Sequence, residues 1–569
     1  MPQAGQFKLS SQTLGALPIV NHFLDRMGVA GQLDTYLPAN DARLRLAPAV
    51  VILAVVRNII IGHRPVYALG EWAAPYAPGL LDLDDGDARV LNDDRVGRML
   101  DRLFDADRAS LITQVVLGVV ANFSIELTEL HNDSTTVTLT GAYAAADGYS
   151  RAGKATPAAR YGHNKDFRPD LKQLLFILTI SSDGAVPIAY RVADGNTVDD
   201  VTHIPTWDEL VRLLGRADFL YVADSKLCSA DAMRHIDAQR GRFVTVVPHG
   251  RREDTWFRNW AQTHAPAWVE ADRRHGARAD DPDRVWRTFE APMPSVDGYR
   301  VIWVHSSAKA ARDAASRAGR IEAGVAAIEA VNARMASPKT RLKTKTAAEA
   351  ATTAALAAAG AARWVSFEIT ETIEERYRQE RRGRPGNDTR YRRTDKHVFA
   401  VTAAVRAETV SFDAVTDGCF PLITNDRHMT PAEVLAAYRY QPNLERRNHI
   451  LKGPQQVAPV WLNTAHRIEA VLFCHFLAML TEALIEREIR NSMTADGLSG
   501  IPLYPELRDC PAPASPRILE IFNGIQRHHL LGEDGTIIQT FEHDLTPLQR
   551  QVLQLLHVPA TIYNSTSTS

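Results

Sequence analysis

The order of apolar segments between residues 129 and 249 constrains the fold more than any other feature of the chain. Short β-branched or apolar runs predict strands, and amphipathic stretches between them predict helices. In chain order these are the strands Val137–Leu139, Leu171–Ile180 and Val186–Val192, the helix Thr202–Leu214, the strand Phe219–Ala223, the helix Ser229–Gln239 and the strand Phe243–Val247. A three-strand meander followed by two α/β crossovers predicts an α/β fold with a mixed sheet flanked by helices.

The rest of the chain is expected to form further domains around this sheet, because its length suits about three or four domains. We predict a helical N-terminal domain over 1–128, a core in two parts over 129–249 and 416–490, an insertion over 250–415 and a C-terminal extension over 491–569. The predicted N-terminal helices are Pro18–Met27, Leu46–Ile61, Arg95–Phe104 and Leu111–Phe123. In the insertion we expect the strands Arg300–His305, Trp364–Thr370 and Val398–Val405 and the helices Ala308–Met335 and Ala347–Ala362.

Charge and cysteine content exclude several classes of protein. Lys and Arg total 65 against 67 Asp and Glu, so the surface cannot be basic throughout, although local basic patches remain open. The four cysteines lie far apart, which argues against a zinc site or a disulfide framework. No apolar run of membrane-spanning length and no secretion signal are visible, so we expect a cytoplasmic protein.

Acidic residues stand beside two of the predicted strands. Asp133 precedes the first strand, and Asp224 ends the strand Phe219–Ala223. Ligand chemistry in open α/β sheets collects at strand ends, although a lone aspartate there is more often a turn or cap residue. A third candidate group is Tyr438, Glu445 and Lys452, spaced seven residues apart. Because the residue before proline avoids the α region, Pro442 is expected to put Tyr438 on one helix and the other two on the next.

These residues carry a family resemblance. The segment 438–452 resembles the Tyr-x2-Arg-x3-Glu-x6-Lys signature of bacterial insertion-sequence transposases of the DDE type. Tyr438, Glu445 and Lys452 match the signature, and Gln441 stands where the family has Arg. Asp133, followed by Ser-Thr-Thr, is similar to the first aspartate of the family, and Asp224, preceded by Val-Ala, to the second.

Further segments extend the resemblance over roughly residues 15–490. Residues 161–173 and 195–197 are also similar to stretches seen in the family. The resemblance implies a ribonuclease-H-like core and, as in one branch of the family, a β-rich insertion before the last catalytic residue. The chain leaves room for it, since Asp224 and Glu445 are 445 − 224 = 221 residues apart, against 224 − 133 = 91 between the two aspartates. The helical N-terminal domain is then a candidate for recognising DNA ends.

The resemblance implies that Asp133, Asp224 and Glu445 are catalytic and hold two Mg²⁺ ions, for which Mn²⁺ can substitute. Two such ions, about 3.5–4 Å apart, can activate the attacking oxygen and stabilise the leaving oxygen of an in-line displacement at phosphorus. Carboxylates suit this task because Mg²⁺ prefers oxygen ligands. Water attacks first and a freed DNA 3′-OH attacks next, so no nucleophile from the protein is required.

The implied partners are double-stranded DNA of the element ends and of the target, held by a homodimer in the active complex. The expected DNA-binding residues are Tyr438, Arg439, Lys452, Lys165, Arg168 and Lys172. Local charge agrees, because residues 151–172 carry six Lys and Arg against two Asp, and residues 376–396 carry nine against three acids. Solvated loops would give the same counts.

Two other functions remain open from the sequence. One is a metal-dependent nuclease that cuts DNA without joining it, and the other is a non-catalytic DNA-binding protein derived from a transposase. The intact acidic set argues against the second, and Gln441 in place of the family Arg argues for it. Hydrolases with a G-x-S-x-G elbow and P-loop NTPases are disfavoured, because neither motif occurs.

Overall fold

A computed structural model describes residues 7–41, 44–276, 281–458 and 460–564. The chain divides into two compact units. The first comprises Met1–Thr245 with Ala436–Ser569, and the second comprises Val246–Leu435.

The N-terminal part of the first unit is helical, as predicted. Its elements are β1 (Lys8–Thr13), α1 (Leu17–Arg26), α2 (Val29–Tyr36), α3 (Pro48–Arg57), α4 (Leu69–Ala73), α5 (Asp93–Asp105) and α6 (Arg108–Phe123). The side chain of Asn92 caps α5 by accepting a hydrogen bond from the Arg95 amide at 3.0 Å, which explains where that helix begins.

Five strands of a mixed sheet follow. Its elements in chain order are β2 (Glu129–Leu139), β3 (Ser150–Arg151), β4 (Lys154–Ala155), β5 (Lys172–Ser181), β6 (Pro187–Asp194), α7 (His203–Leu214), β7 (Leu220–Ala223), α8 (Ala230–Ala238) and β8 (Arg242–Val246). The strands lie in the order β6-β5-β2-β7-β8, while β3 and β4 pair separately. Strands β6 and β2 are both antiparallel to β5, which lies between them. Strands β2, β7 and β8 run parallel to one another. The predicted α/β class and the predicted order of elements are therefore confirmed.

The first core strand is longer than the sequence predicts. We expected Val137–Leu139, whereas β2 has 11 residues and Asp133 lies in its middle rather than beside it. Asn and Asp have low strand propensity, so the polar start of β2 does not look like a strand. Pairing with β5 on one side and β7 on the other overrides that propensity. The side-chain Nδ2 of Asn132 also donates hydrogen bonds to Leu178 O and Thr179 Oγ1 of β5.

The second unit mixes strands and long helices. Its elements are α9 (Arg252–Trp260), β9 (Val269–Arg274), β10 (Arg284–Glu290), β11 (Arg300–Ser306), α10 (Ser307–Ala336), α11 (Lys345–Ala358), β12 (Val365–Gln379), β13 (Tyr391–Val405), α12 (Ala407–Ala414) and β14 (Cys419–Thr424). The predicted strands and helices of this region are confirmed, whereas β9 and β10 were not predicted. Strands β14, β11, β10 and β9 form an antiparallel series, and β12 pairs with β13 alone. The boundaries of the predicted domains stay predictions.

The chain ends with α13 (Pro431–Tyr438), α14 (Gln441–Lys452), α15 (Ala465–Ala495), α16 (Ser515–Glu520), β15 (Gln526–Leu531), β16 (Ile537–Phe541) and α17 (Pro547–Leu555). The predicted break at Pro442 is confirmed, because α13 ends at Tyr438 and Pro442 lies in the first turn of α14. Glu445 and Lys452 therefore share α14. The polar tail at 565–569 lies outside the described residues.

Helix α15 is the one described helix that by itself is long and apolar enough to cross a membrane. Of its apolar window, 89% is buried inside the protein, which is typical of a core helix. The four cysteines are buried and none is in a disulfide.

A buried ion pair joins α14 to α15. The Arg447 side chain is 1% exposed, and its Nη1 lies 2.9 Å from Glu486 Oε2 on α15. The same guanidinium donates to the carbonyls of Ala185 and Gly184 in the β5–β6 turn, at 2.9 and 3.1 Å. Arg447 thus fixes α14 against both the sheet and the core helix.

Replacing this arginine should destabilise the first unit strongly. We expect Arg447→Ala to lower the free energy of unfolding by about 3 kcal/mol, because the buried Glu486 would keep only one of its two arginine partners, Arg490 at 3.2 Å. Arg446→Ala, one position away and partly exposed, is the matched control and should change it by less than about 0.5 kcal/mol. Equilibrium denaturation measures both, and equal effects of the two substitutions would contradict this account of the helix junction.

Candidate catalytic site

The strand register brings two of the predicted acidic residues together. Strands β2 and β7 are parallel, and Asn132 pairs with Ala223. The next positions on the two strands are Asp133 and Asp224, so these aspartates are neighbours. At the end of β7 Asp224 caps a short turn, where its Oδ1 accepts a hydrogen bond from the Lys226 amide at 3.0 Å.

A lysine ammonium lies beside Asp133. Lys165 Nζ is 3.5 Å from Asp133 Oδ1 and 3.4 Å from Asp199 Oδ2. It also donates to Ser134 O at 2.5 Å and Ser134 Oγ at 2.9 Å, and Ser134 Oγ donates to Asp199 Oδ1 at 2.7 Å. Lys165, which we predicted to bind DNA, is therefore a counter-charge inside the acidic group, and Asp199 is a further carboxylate that we did not predict.

Burial and neighbouring charge raise the pKa of Asp133 to about 6. Burial of the carboxyl is the largest cause, and the charges of Asp224 and Asp199 act in the same direction, whereas Lys165 opposes them. Ionisation of Asp133 is therefore unfavourable at this buried position, and a neighbouring cation makes the ionised form more favourable.

Helix α14, which carries the exposed Glu445, packs against β2. Asn448 Nδ2 donates to Asp133 Oδ2 at 3.3 Å. Asn448 follows Glu445 by three residues and therefore faces the same side of the helix. Burial, followed by the negative charges of Asp224 and Glu445, raises the pKa of Tyr438 to about 12.

The acidic residues of the described chain do not form a preformed metal site. Over the described ranges, no three His, Cys, Asp or Glu side chains lie close enough together to hold an ion. One atom here does lack a partner, because Asn448 is 8% exposed and its buried Oδ1 accepts no hydrogen bond.

Two of the other predicted DNA-binding residues are held by aspartates. Lys452 Nζ donates to Asp166 Oδ1 at 2.5 Å. Burial alone would raise the pKa of Asp166, but the hydrogen bonds from Lys452 and Thr138 outweigh it and lower the pKa. Arg168 makes a two-point contact with Asp170, at 2.9 and 2.8 Å. Their roles in binding DNA stay predictions.

The remaining two lie partly exposed. Lys172 begins β5, opposite Leu139 of β2. Arg439 lies between α13 and α14, immediately after Tyr438. Both predicted roles also stay predictions.

Gln441, at the position of the family Arg, is directed at the sheet. Its Oε1 is 3.0 Å from Nδ1 of the fully buried His131, and its Nε2 is 3.5 Å from Asn132 O. The other ring nitrogen of His131 lies 2.8 Å from Glu129 Oε1. Gln441 thus contributes to seating α14 on β2.

Sequence reasoning missed Asp199 and Asn448. Asp199 lies two residues beyond the segment 195–197, which resembles a stretch seen in the transposase family. Its closeness to that segment was the available signal. Asn448 lies three residues after Glu445, and the helical period was the signal that both share one face.

The N-terminal part of the chain matches a known protein family. A family described as "Domain of unknown function (DUF4277)" matches residues 9–117. No curated protein matches the chain. Among solved structures, the chain is similar to "Cryo-EM structure of piggyBac transposase synaptic complex with hairpin DNA (SNHP)", at 10% identity and a TM-score of 0.26. That match covers 50% of this chain and 61% of the other, so this chain spans less than two thirds of that structure's length.

Restoring the family arginine should not create a phosphate contact. Because position 441 faces His131 and Asn132, we expect Gln441→Arg to leave the salt dependence of DNA affinity unchanged and to lower stability. Gln441→Glu, which keeps the side-chain length, is the control for stability. Titrations at several salt concentrations measure the slope, and a steepening by about one counterion would mean that position 441 reaches a phosphate.

Proposed function

We propose that this chain is a DNA transposase of the DDE type that cuts element ends and joins them to target DNA. The observation that carries the proposal is the register of β2 and β7, which makes Asp133 and Asp224 neighbours, together with the docking of α14 beside Asp133. These residues come from three separate parts of the chain. A shared chemical task explains that convergence better than stability does, because close carboxylates repel one another.

The order of the core strands supports a ribonuclease-H-like core. In chain order the five strands are first, second, third, fourth and fifth, and across the sheet they lie third, second, first, fourth, fifth. Because β2 and β7 are adjacent and parallel, Asp133 of β2 lies beside Asp224 at the end of β7. The second unit, Val246–Leu435, lies wholly between Asp224 and Glu445 and includes the proposed insertion over 250–415.

The donor chemistry fits Mg²⁺. Asp133, Asp224 and Glu445 would hold the ions, and all three offer oxygen ligands. The unpartnered Asn448 Oδ1 is a further oxygen that a cation could use, and the Lys165 ammonium would have to leave Asp133 for an ion to bind there. When bound, the ions would activate the attacking oxygen and neutralise charge on the leaving oxygen.

The protein's own residues would bind and orient the DNA. Lys452 would be a point charge for a phosphate at the cost of its ion pair with Asp166, and the half-buried Tyr438 phenol would donate a hydrogen bond to a phosphate. Lys165 offsets part of the negative charge of Asp133 and Asp199 in the metal-free chain. Its ammonium is free to turn towards a phosphate when those carboxylates are neutralised otherwise. The active complex would be a homodimer on two DNA ends, acting in the cytoplasm.

Removing any one catalytic carboxylate should abolish cleavage. We expect Asp133→Ala, Asp224→Ala and Glu445→Ala each to lower the rate of Mg²⁺-dependent cleavage of duplex DNA by at least about 10³-fold. DNA affinity should persist, because other surfaces hold the phosphates. Cleavage assays and DNA titrations on the same preparations measure the two effects separately.

Asp231→Ala is the matched control, since Asp231 is an exposed aspartate on α8 paired with Arg234. It should cleave at the wild-type rate. Substantial cleavage by one of the three variants would remove that residue from the catalytic set. Cleavage without joining of a 3′-OH end would favour the nuclease, and binding without cleavage by the wild-type chain would favour a non-catalytic DNA-binding protein.

A further inference from the structure

We propose that the β12–β13 hairpin is an arm that binds the phosphate backbone of duplex DNA with one basic face. The basic face is defined by Arg376, Arg378, Arg390 and Arg392. The inference rests on the proposed function for its choice of ligand, and it assigns the second unit a specific part in holding the DNA.

The hairpin is long, regular and exposed over its outer half. Each strand has 15 residues, and the strands pair without a break from Val365 with Val405 to Gln379 with Tyr391. At about 3.3 Å per residue, each strand extends for about 50 Å. Only its base is packed, where Val365 and Val401 join a core cluster with Ile328 of α10 and Leu356 of α11. Such a ribbon has no fold-stabilising role along its outer half.

The charges on the outer half are arranged by face. Side chains alternate between the two faces of a strand, so residues 376 and 378 share one face with their cross-strand neighbours at 392 and 394. Arg378 pairs directly with Arg392 across the ladder. Like charges directly opposite each other destabilise a sheet, so this arrangement is unfavourable in the free protein. An anion lying along the face would remove the repulsion.

Carboxylates offset only part of the charge on this face, because Glu374 and Glu380 share it with the four arginines and with Lys396. Arg376 has a contact with Glu374 at 3.5 Å, but neither Arg378 nor Arg392 forms an ion pair within the described part of the chain. The tip connecting the strands adds Arg381, Arg382 and Arg384, all exposed. Duplex DNA fits this surface, because a two-stranded ribbon can enter the major groove, which is about 12 Å wide, and phosphates line both groove edges.

The opposite face provides an internal control. Arg393 lies next to Arg392 but points to the other face, where it pairs with Glu375 at 3.0 Å and Asp395 at 3.1 Å. Its charge is already neutralised. A guanidinium one residue away thus differs from Arg392 chiefly in its face and its partners.

The test compares Arg378→Gln/Arg392→Gln with Arg393→Gln in the full chain, without Mg²⁺, on a short duplex of random sequence. For the double variant we expect an affinity loss on the order of tenfold and a salt slope smaller by about two counterions. Arg393→Gln should leave both unchanged. Without DNA, amide exchange at the arm should slow in the double variant, because the Arg378–Arg392 repulsion is gone.

Equal slopes and affinities for the two variants would overturn the proposal. So would loss of self-association by the double variant in sedimentation with unchanged DNA binding, which would assign the face to a second copy of the chain. Mg²⁺-dependent cleavage by the wild-type chain is measured separately. A chain that binds DNA through the arm but never cleaves would contradict the proposed function alone, and a chain that cleaves without arm-dependent binding would contradict the arm alone.

Discussion

The pairing of β2 on both edges is the constraint on which the rest of the site depends. Backbone hydrogen bonds to β5 and β7 hold Asp133 in the middle of a central strand, where its carboxyl cannot move away from Asp224. Helix α14 then packs on the same strand through Gln441 and Asn448. Arg447 of α14 forms a buried ion pair with Glu486 of α15, which holds the two helices together. The geometry of the acidic group is therefore set by backbone pairing and buried contacts rather than by flexible loops.

A cost accompanies that rigidity. Burial and the charges of Asp224 and Asp199 raise the pKa of Asp133, which means that the ionised carboxylate is unfavourable in this setting. Lys165 offsets the cost from a position between Asp133 and Asp199. Under the proposed function, the same cation that stabilises the metal-free chain occupies space beside a metal ligand. Stability of the free protein and readiness for chemistry are then in competition at Lys165.

Much of the fold follows from the sequence, and the contacts of the site do not. A continuous apolar run predicts β5, which is buried on both faces. Apolar periodicity predicts α5 and α6, because each buries one apolar face, and Pro442 predicts the break between α13 and α14. The start of β2 was missed because its polar residues are stabilised by partners distant in sequence, such as Thr179 for Asn132. Likewise the pairing of Lys165 with Asp199 joins segments that no local pattern relates.

The most direct test of the central claim is the location of bound Mn²⁺ by anomalous scattering in crystals of the full chain. The account predicts Mn²⁺ bonded to an Asp133 carboxylate oxygen at roughly 2.0–2.6 Å, the range for hard cations and oxygen ligands, with Asp224 or Glu445 as a second ligand. Lys165 should then have moved away from Asp133. Mn²⁺ found only elsewhere, with Lys165 still between Asp133 and Asp199, would contradict it.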